Sequence, residues 1–152
     1  MKLESVKEKL NIAISKAGKI TGKNLTLPVL SCLLLETNKN FLKIKATNLD
    51  MGVEIMIPVK IEEEGVVAVP AQIITNFLNN LENDKNVSLV KKDNTLEIRS
   101  DSSVADIKTF PVDDFPTIPS IENAKSFKIQ SRDFLKGIKA IIYSSSTSSV
   151  KP

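Results

Sequence analysis

Twice along this chain a stripe of apolar residues at helical spacing gives way to runs that alternate apolar and polar residues. That change of period confines the chain to folds that mix helices with hairpins. In the first stretch Val6, Leu10, Ala13, Ile14 and Ala17 follow the i, i+4, i+7, i+8, i+11 pattern. This predicts a helix over residues 6–17, preceded by a short strand over residues 1–5. Lys9 and Lys16 fall on its opposite face, Gly18 is expected to stop it, and Lys19 and Lys23 follow in a basic loop. Strands over residues 31–37 and 41–47 flank the hairpin signal Asn38-Lys39-Asn40. In the second of them Phe41, Lys43 and Lys45 alternate with Leu42, Ile44 and Ala46.

Residues 51–60 and 65–69 continue the sheet on either side of the acidic turn Glu62-Glu63-Glu64. Pro70 then sits where a helix tolerates proline, in its first turn. Ile73, Ile74, Phe77, Leu78 and Leu81 give this second helix an apolar stripe wider than one core face needs. Strands over 86–91, 95–100 and 103–108 follow, the first two joined by the Asp93-Asn94 turn. The predicted order, β-α-β-β-β-α-β-β-β, is that of an α+β layer fold with antiparallel hairpins.

A Pro-rich connector, Phe110-Pro111-Val112-Asp113-Asp114-Phe115-Pro116-Thr117-Ile118-Pro119, ends this unit. Beyond it a strand over 126–130 and a helix over 131–142 restart the pattern. Phe127, Phe134, Gly137, Ile138 and Ile141 echo Leu3, Leu10, Ala13, Ile14 and Ala17 at an offset of 124 residues. The expectation is one whole module over residues 1–120 and the truncated start of a second over 121–152. Residues 144–149, nearly all Ser and Thr, are expected to be flexible.

The 152 residues suffice for one domain with an appendage, and 41% hydrophobic with 26% charged residues is ordinary for a globular protein. A formal net charge of +3 does not by itself demand nucleic acid. The single cysteine, Cys32, rules out an internal disulfide and reads as a small buried hydrophobe. Neither a signal peptide nor an apolar run of the ~18 residues a membrane span needs is visible, so the expected location is the cytoplasm. No histidine is present, which removes the commonest general base and metal ligand. Five scattered glycines form no phosphate loop. Asp50, Glu54, Asp113 and Asp114 are the carboxylates on which a magnesium-dependent nuclease or phosphotransferase could be built. No spacing rule gathers them, and turn and linker chemistry also accounts for them.

Four motifs, Thr26-Leu27-Pro28-Val29-Leu30, Ala46-Thr47-Asn48-Leu49-Asp50-Met51, Val69-Pro70-Ala71 and the connector, resemble those of the bacterial DNA polymerase III beta subunit, the replicative sliding clamp, in the family's order. One departure is Asn48, where the family usually has aspartate. The likeness covers the family's first domain and the first strand and helix of its second; the rest of the second and all of the third are missing. The resemblance implies a DNA-clamp domain made of two β-α-β-β-β halves, with helices on one side of antiparallel sheets. Six such domains from two subunits would close a ring around duplex DNA, with helices facing the hole. The implied protein is non-catalytic and needs no cofactor or metal. It tethers DNA polymerase III and meets the clamp loader through domains absent here.

On that resemblance the polar helix faces look into a DNA channel. Lys9, Lys16 and Lys23 are then expected at DNA, together with Arg132, Lys136 and Lys139 at i, i+4, i+7 on the last helix. Asn24, Gln72 and Ser148 match family positions that touch DNA but are uncharged here. Ile73, Phe77, Ala105 and Ile107 fall where the family's first domain meets the third domain of the second subunit. Periodicity alone favours the core for these four, while five large apolar residues in nine positions of the second helix exceed one stripe and argue for a second buried face.

Overall fold

The structure, a computed structural model, describes residues 1–22, 27–82, 84–119 and 127–144. The chain forms two compact units, Met1–Ile118 and Pro119–Pro152. In the first, strand β1 (Lys2–Val6) leads directly into helix α1 (Lys7–Gly18), and a 3-10 turn at Pro28–Ser31 precedes β2 (Cys32–Asn38) and β3 (Phe41–Thr47). β4 (Gly52–Pro58), β5 (Lys60–Glu63) and β6 (Val66–Pro70) lead to helix α2 (Ala71–Asn80). The unit then finishes with β7 (Asn86–Lys92), β8 (Thr95–Arg99) and β9 (Val104–Lys108).

The two halves exchange their opening strands. One antiparallel sheet has the order β5-β1-β7-β8-β9 and the other β4-β3-β2-β6. β1, which opens the first half, therefore pairs with β7 of the second, Leu3 opposite Leu89. β6, which opens the second half, pairs with β2 of the first, Leu34 opposite Ala68. The strand β5 lies outside β1. At the matching place outside β6, Phe110 donates its N–H to Ala68 at 2.9 Å. Even the tight turns correspond: Lys39 after β2 and Asp93 after β7 both take positive φ, 54° and 45°.

Exchange puts both helices over one shared interior. Leu10, Ala13, Ile14 and Ala17 of α1 and Ala71, Ile74 and Leu78 of α2 are buried in one cluster with Leu33, Leu35, Leu42 and Ile44 of one sheet and Leu3, Leu89, Leu96 and Ile98 of the other. The helices lie close because small residues meet between them. A Cβ built on Gly18 would stand 3.8 Å from the Ala71 Cβ and 3.6 Å from Thr75 Oγ1.

The α+β fold expected from the sequence is the fold observed, with local corrections. Val6 is the last residue of β1 and about half exposed, not part of the α1 stripe. Gly18 ends α1 without a left-handed turn: Lys19 and Ile20 donate back to Lys16 and Ala17, and Thr21 Oγ1 donates to the Gly18 carbonyl at 2.8 Å. The single strand predicted over 51–60 is two strands in different sheets. Pro58 has no N–H to give a ladder, and the chain leaves one sheet there and joins the other at Lys60. Pro70 closes β6 and stands just before α2 rather than within its first turn.

The connector is a strap over the outer face of the second sheet. Phe115 is buried with Val29, Cys32, Leu34 and Ala68, and Phe110 and Val112 pack against them. Further along, Ile118 Cγ2 would lie only 3.0 Å from a Cβ on Gly52, so glycine there admits the close passage of the strap. In the 47–51 turn, Asn48 Oδ1 accepts from the N–H groups of Asp50 (3.1 Å) and Met51 (2.8 Å). An aspartate oxygen would accept the same two bonds, so the Asn48 departure keeps the turn.

In the second unit, helix α3 (Ser131–Ile141) is present, but residues 127–130 form no strand. A strand needs a pairing edge, and the described residues of that unit offer none. Phe134, Ile138 and Ile141, the echoes of buried α1 residues, are exposed. Ser144 closes a 3-10 turn, and residues 145–149 of the predicted flexible tail lie outside the described ones.

Candidate functional site

Burial of the α1 stripe forces the other side of that helix to solvent. Lys9, Ile12, Lys16 and Lys19 are exposed there, and Glu8 is the helix's one carboxylate. Ion pairing differs between the helix side and the sheets of the first unit. On the sheets, Lys2 pairs with Glu62, Lys43 with Glu54, Lys45 with Glu36, Lys60 with Glu4, and both Lys92 and Arg99 with Glu97. The lysine hydrogen bonds to Glu36, Glu62 and Glu97 hold these three carboxyls below the usual carboxylate range. Among the described residues no carboxylate comes within ion-pairing distance of Lys9, Lys16 or Lys19. Most sheet cations are neutralised in place, Lys91 (which donates to the Val66 carbonyl) and Lys108 excepted, and the exposed α1 cations are left for something else.

Beside them α2 carries no charge at all. Gln72 is exposed at its N-terminal end, and Thr75, Asn76 and Asn79 continue the same side. Together with Ser15, Lys19 and Thr21 they line an open groove of about 640 Å³ between the two helices. Asn76 and Asn79 are absent from the residues the sequence analysis assigns to DNA, although their i, i+4, i+7 spacing from Gln72 is legible there.

The remaining expected residues fall as follows. Arg132, Lys136 and Lys139 are all exposed on α3, on the side away from Phe134, Ile138 and Ile141. Lys23, Asn24 and Ser148 lie outside the described residues. Ile73 is 52% exposed on the flank of α2 opposite the groove, and Phe77 beside it is partly buried against the core. β9 is the last strand of its sheet, so one of its edges has no partner strand among the described residues. Ile107 does not present its side chain there: it is 3% exposed, opposite Leu96, in the core. Alternation turns Ala105 to the same inward side and Val104 outward.

Asp50 lies in the 47–51 turn, Glu54 is engaged with Lys43, and Asp113 and Asp114 lie in the connector's 3-10 turn. Among the described residues no three carboxylate or cysteine side chains gather as a cation site would require. Cys32 is buried, and desolvation pushes its thiol up to about 11. No helix among the described residues is long and apolar enough to cross a membrane.

Comparison with known proteins joins these features. The chain is 22% identical to the beta sliding clamp of Synechococcus elongatus over 99% of its own length and 41% of that protein's. It is 33% identical to the beta sliding clamp of Vibrio harveyi over 100 residues, 64% of this chain and 68% of that sequence. Among solved structures, the polymerase III beta protein of Caulobacter crescentus superposes with a TM-score of 0.91 at 25% identity, covering 99% of this chain and 40% of that one. The chain thus spans about two fifths of the length of the Synechococcus and Caulobacter proteins. Residues 1–119 match the family described as DNA polymerase III beta subunit, N-terminal domain, and the chain belongs to that family.

Proposed function

We propose that this chain is the N-terminal portion of a replicative sliding clamp, a non-catalytic ring that encircles duplex DNA in the cytoplasm and tethers DNA polymerase III. Residues 1–120 are its first clamp domain and 121–152 the start of the second. Lys9, Lys16, Lys23 and Gln72 contact the duplex from the first domain, with Asn24 beside them. Arg132, Lys136, Lys139 and Ser148 contact it from the second. Ile73 and Phe77, with the free edge of β9 at Ala105, meet a second clamp subunit, and Ile107 supports that edge from inside. Polymerase and clamp loader bind through the later domains of such a clamp.

The observation that carries the reading is the difference in ion pairing. Five of the sheet lysines, Lys2, Lys43, Lys45, Lys60 and Lys92, are paired with carboxylates, with Lys91 and Lys108 the exceptions among the described residues. Lys9 and Lys16 of α1 stand without such partners among the described residues, on one exposed face. A ring that slides needs phosphate attraction without base readout, and a few mobile ammonium groups supply that. Without encirclement, binding falls to the non-specific level, Kd on the order of 10⁻⁴–10⁻⁶ M at physiological salt. Anisotropy titrations of the chain with two labelled duplexes of unrelated sequence test this. Equal, weak and salt-sensitive binding to both is expected, with no magnesium-dependent cleavage of either. Tight binding that survives high salt, a preference for one sequence, or cleavage would overturn it.

A further inference from the structure

The groove between α1 and α2 has two chemically different walls. On the α1 side Ser15 and Lys19 line it, and Lys16 is exposed next to Ser15; neither lysine has a carboxylate partner among the described residues. On the α2 side Gln72, Asn76 and Asn79 stand at i, i+4, i+7, all exposed, on a helix with no ionisable side chain. The two asparagines on this side of a ten-residue helix run against the usual preference. Asparagine is a poor helix former, and solvent faces are ordinarily filled with Lys, Glu, Gln and Arg. The floor at Gly18 and Ala71 is small enough to leave the groove open, at about 640 Å³.

We propose that the α2 wall is a neutral hydrogen-bonding track for the sugar-phosphate backbone, working beside the cationic track of α1. This deepens the sliding-clamp reading and rests on it. Each amide offers two N–H donors to a phosphate oxygen and one carbonyl acceptor to a bridging water. None of them displaces a condensed counterion, so α2 contributes affinity without adding to the salt dependence, whereas every α1 lysine at a phosphate does both. Neutral donors also exchange partners readily with water, which suits a surface that must release each phosphate as the next arrives.

The two tracks separate in a salt series. The full chain and its variants are titrated with a labelled duplex at four or more salt concentrations, and log K is plotted against log salt. For the combined Gln72→Ala, Asn76→Ala and Asn79→Ala variant, affinity should drop several-fold at every salt concentration with the slope unchanged. For Lys16→Gln with Lys19→Gln, the slope should become shallower by about 0.9 for each phosphate no longer neutralised. Alanine at these exposed positions favours the helix, so circular dichroism melts should show no loss of fold. Asn76→Asp with Asn79→Asp, which places carboxylates in the groove, should weaken binding more than alanine does. Should the amide variant bind as the parent does while the lysine variant loses slope, the neutral track is refuted and the clamp reading stands. Should the amide variant change the slope, the track is not neutral and the proposal also fails. Should neither set alter binding, the clamp reading fails with it.

Discussion

Adjacent residues on α2, Ile73 and Ile74, differ completely in surroundings, and that difference sets two widely separated expectations. Ile74 has no exposed surface and belongs to the central cluster, whereas Ile73 is 52% exposed on the far flank of the helix. Truncating Ile74 to alanine removes three buried carbons, worth about 2.4 kcal/mol at ~0.8 kcal/mol each. The cavity left behind adds to this, because two sheets and α1 hold the site open and cannot collapse into it. The total expected for Ile74→Ala is about 3–4 kcal/mol, within the ~2–5 kcal/mol range of such changes. For Ile73→Ala the expectation is no more than about 0.5 kcal/mol, since a half-exposed side chain loses little and alanine favours the helix. Urea unfolding followed by circular dichroism measures both. With a slope of about 2 kcal/mol/M, Ile74→Ala should move the midpoint down by about 1.5–2 M and Ile73→Ala by less than about 0.3 M. Equal losses at the two positions, or a loss below about 1 kcal/mol at Ile74, would mean that α2 is rotated from the orientation described. The proposed partner surface would then be wrong as well.

Phe115→Ala, which empties the satellite cluster beneath the connector, should cost about 3 kcal/mol in urea unfolding; a cost below about 1 kcal/mol would show that the strap does not pack there. The carboxyls of Glu36, Glu62 and Glu97 bind their protons less tightly folded than unfolded, so the stability they confer is present above the unfolded value of about 4.3 and is lost as pH falls through the lower folded values. Glu97→Gln should therefore lower stability at neutral pH and flatten the acid limb of a midpoint-against-pH series, and an unaltered limb would show that Lys92 and Arg99 do not hold the charge. With its thiol pushed up to about 11, Cys32 is about one part in a thousand thiolate near pH 8 and buried besides. Iodoacetamide should leave it unmodified in the native chain and label it in urea, as mass spectrometry would show; rapid native labelling would place it at the surface.

Local periodicity made several elements legible without any structure. The spacing of Leu10, Ala13, Ile14 and Ala17 gave α1, because a helix repeats its buried face every 3.6 residues whatever it packs against. Alternation in residues 41–47 and the two-residue turns at Lys39 and Asp93 gave the hairpins for the same reason. The exposed lysines of α1 and α3 followed as the complement of those stripes, and the motif resemblance named the family. Pattern alone says that a face is covered without saying by what, and there tertiary structure decided. The exchange of β1 and β6 between sheets and the crossing of one predicted strand from sheet to sheet at Pro58 depend on hydrogen-bond partners up to about ninety residues away. The same holds for the inward turn of Ile107, which follows from its pairing with Leu96. The docking of Phe115 needed the outer face of a sheet formed from β2 and β6, two strands that are not neighbours in sequence. Residues 127–130 show the converse, since strand-like sequence without a partner edge among the described residues of its unit stays unpaired there: a helix closes its hydrogen bonds within itself, and a strand must borrow them.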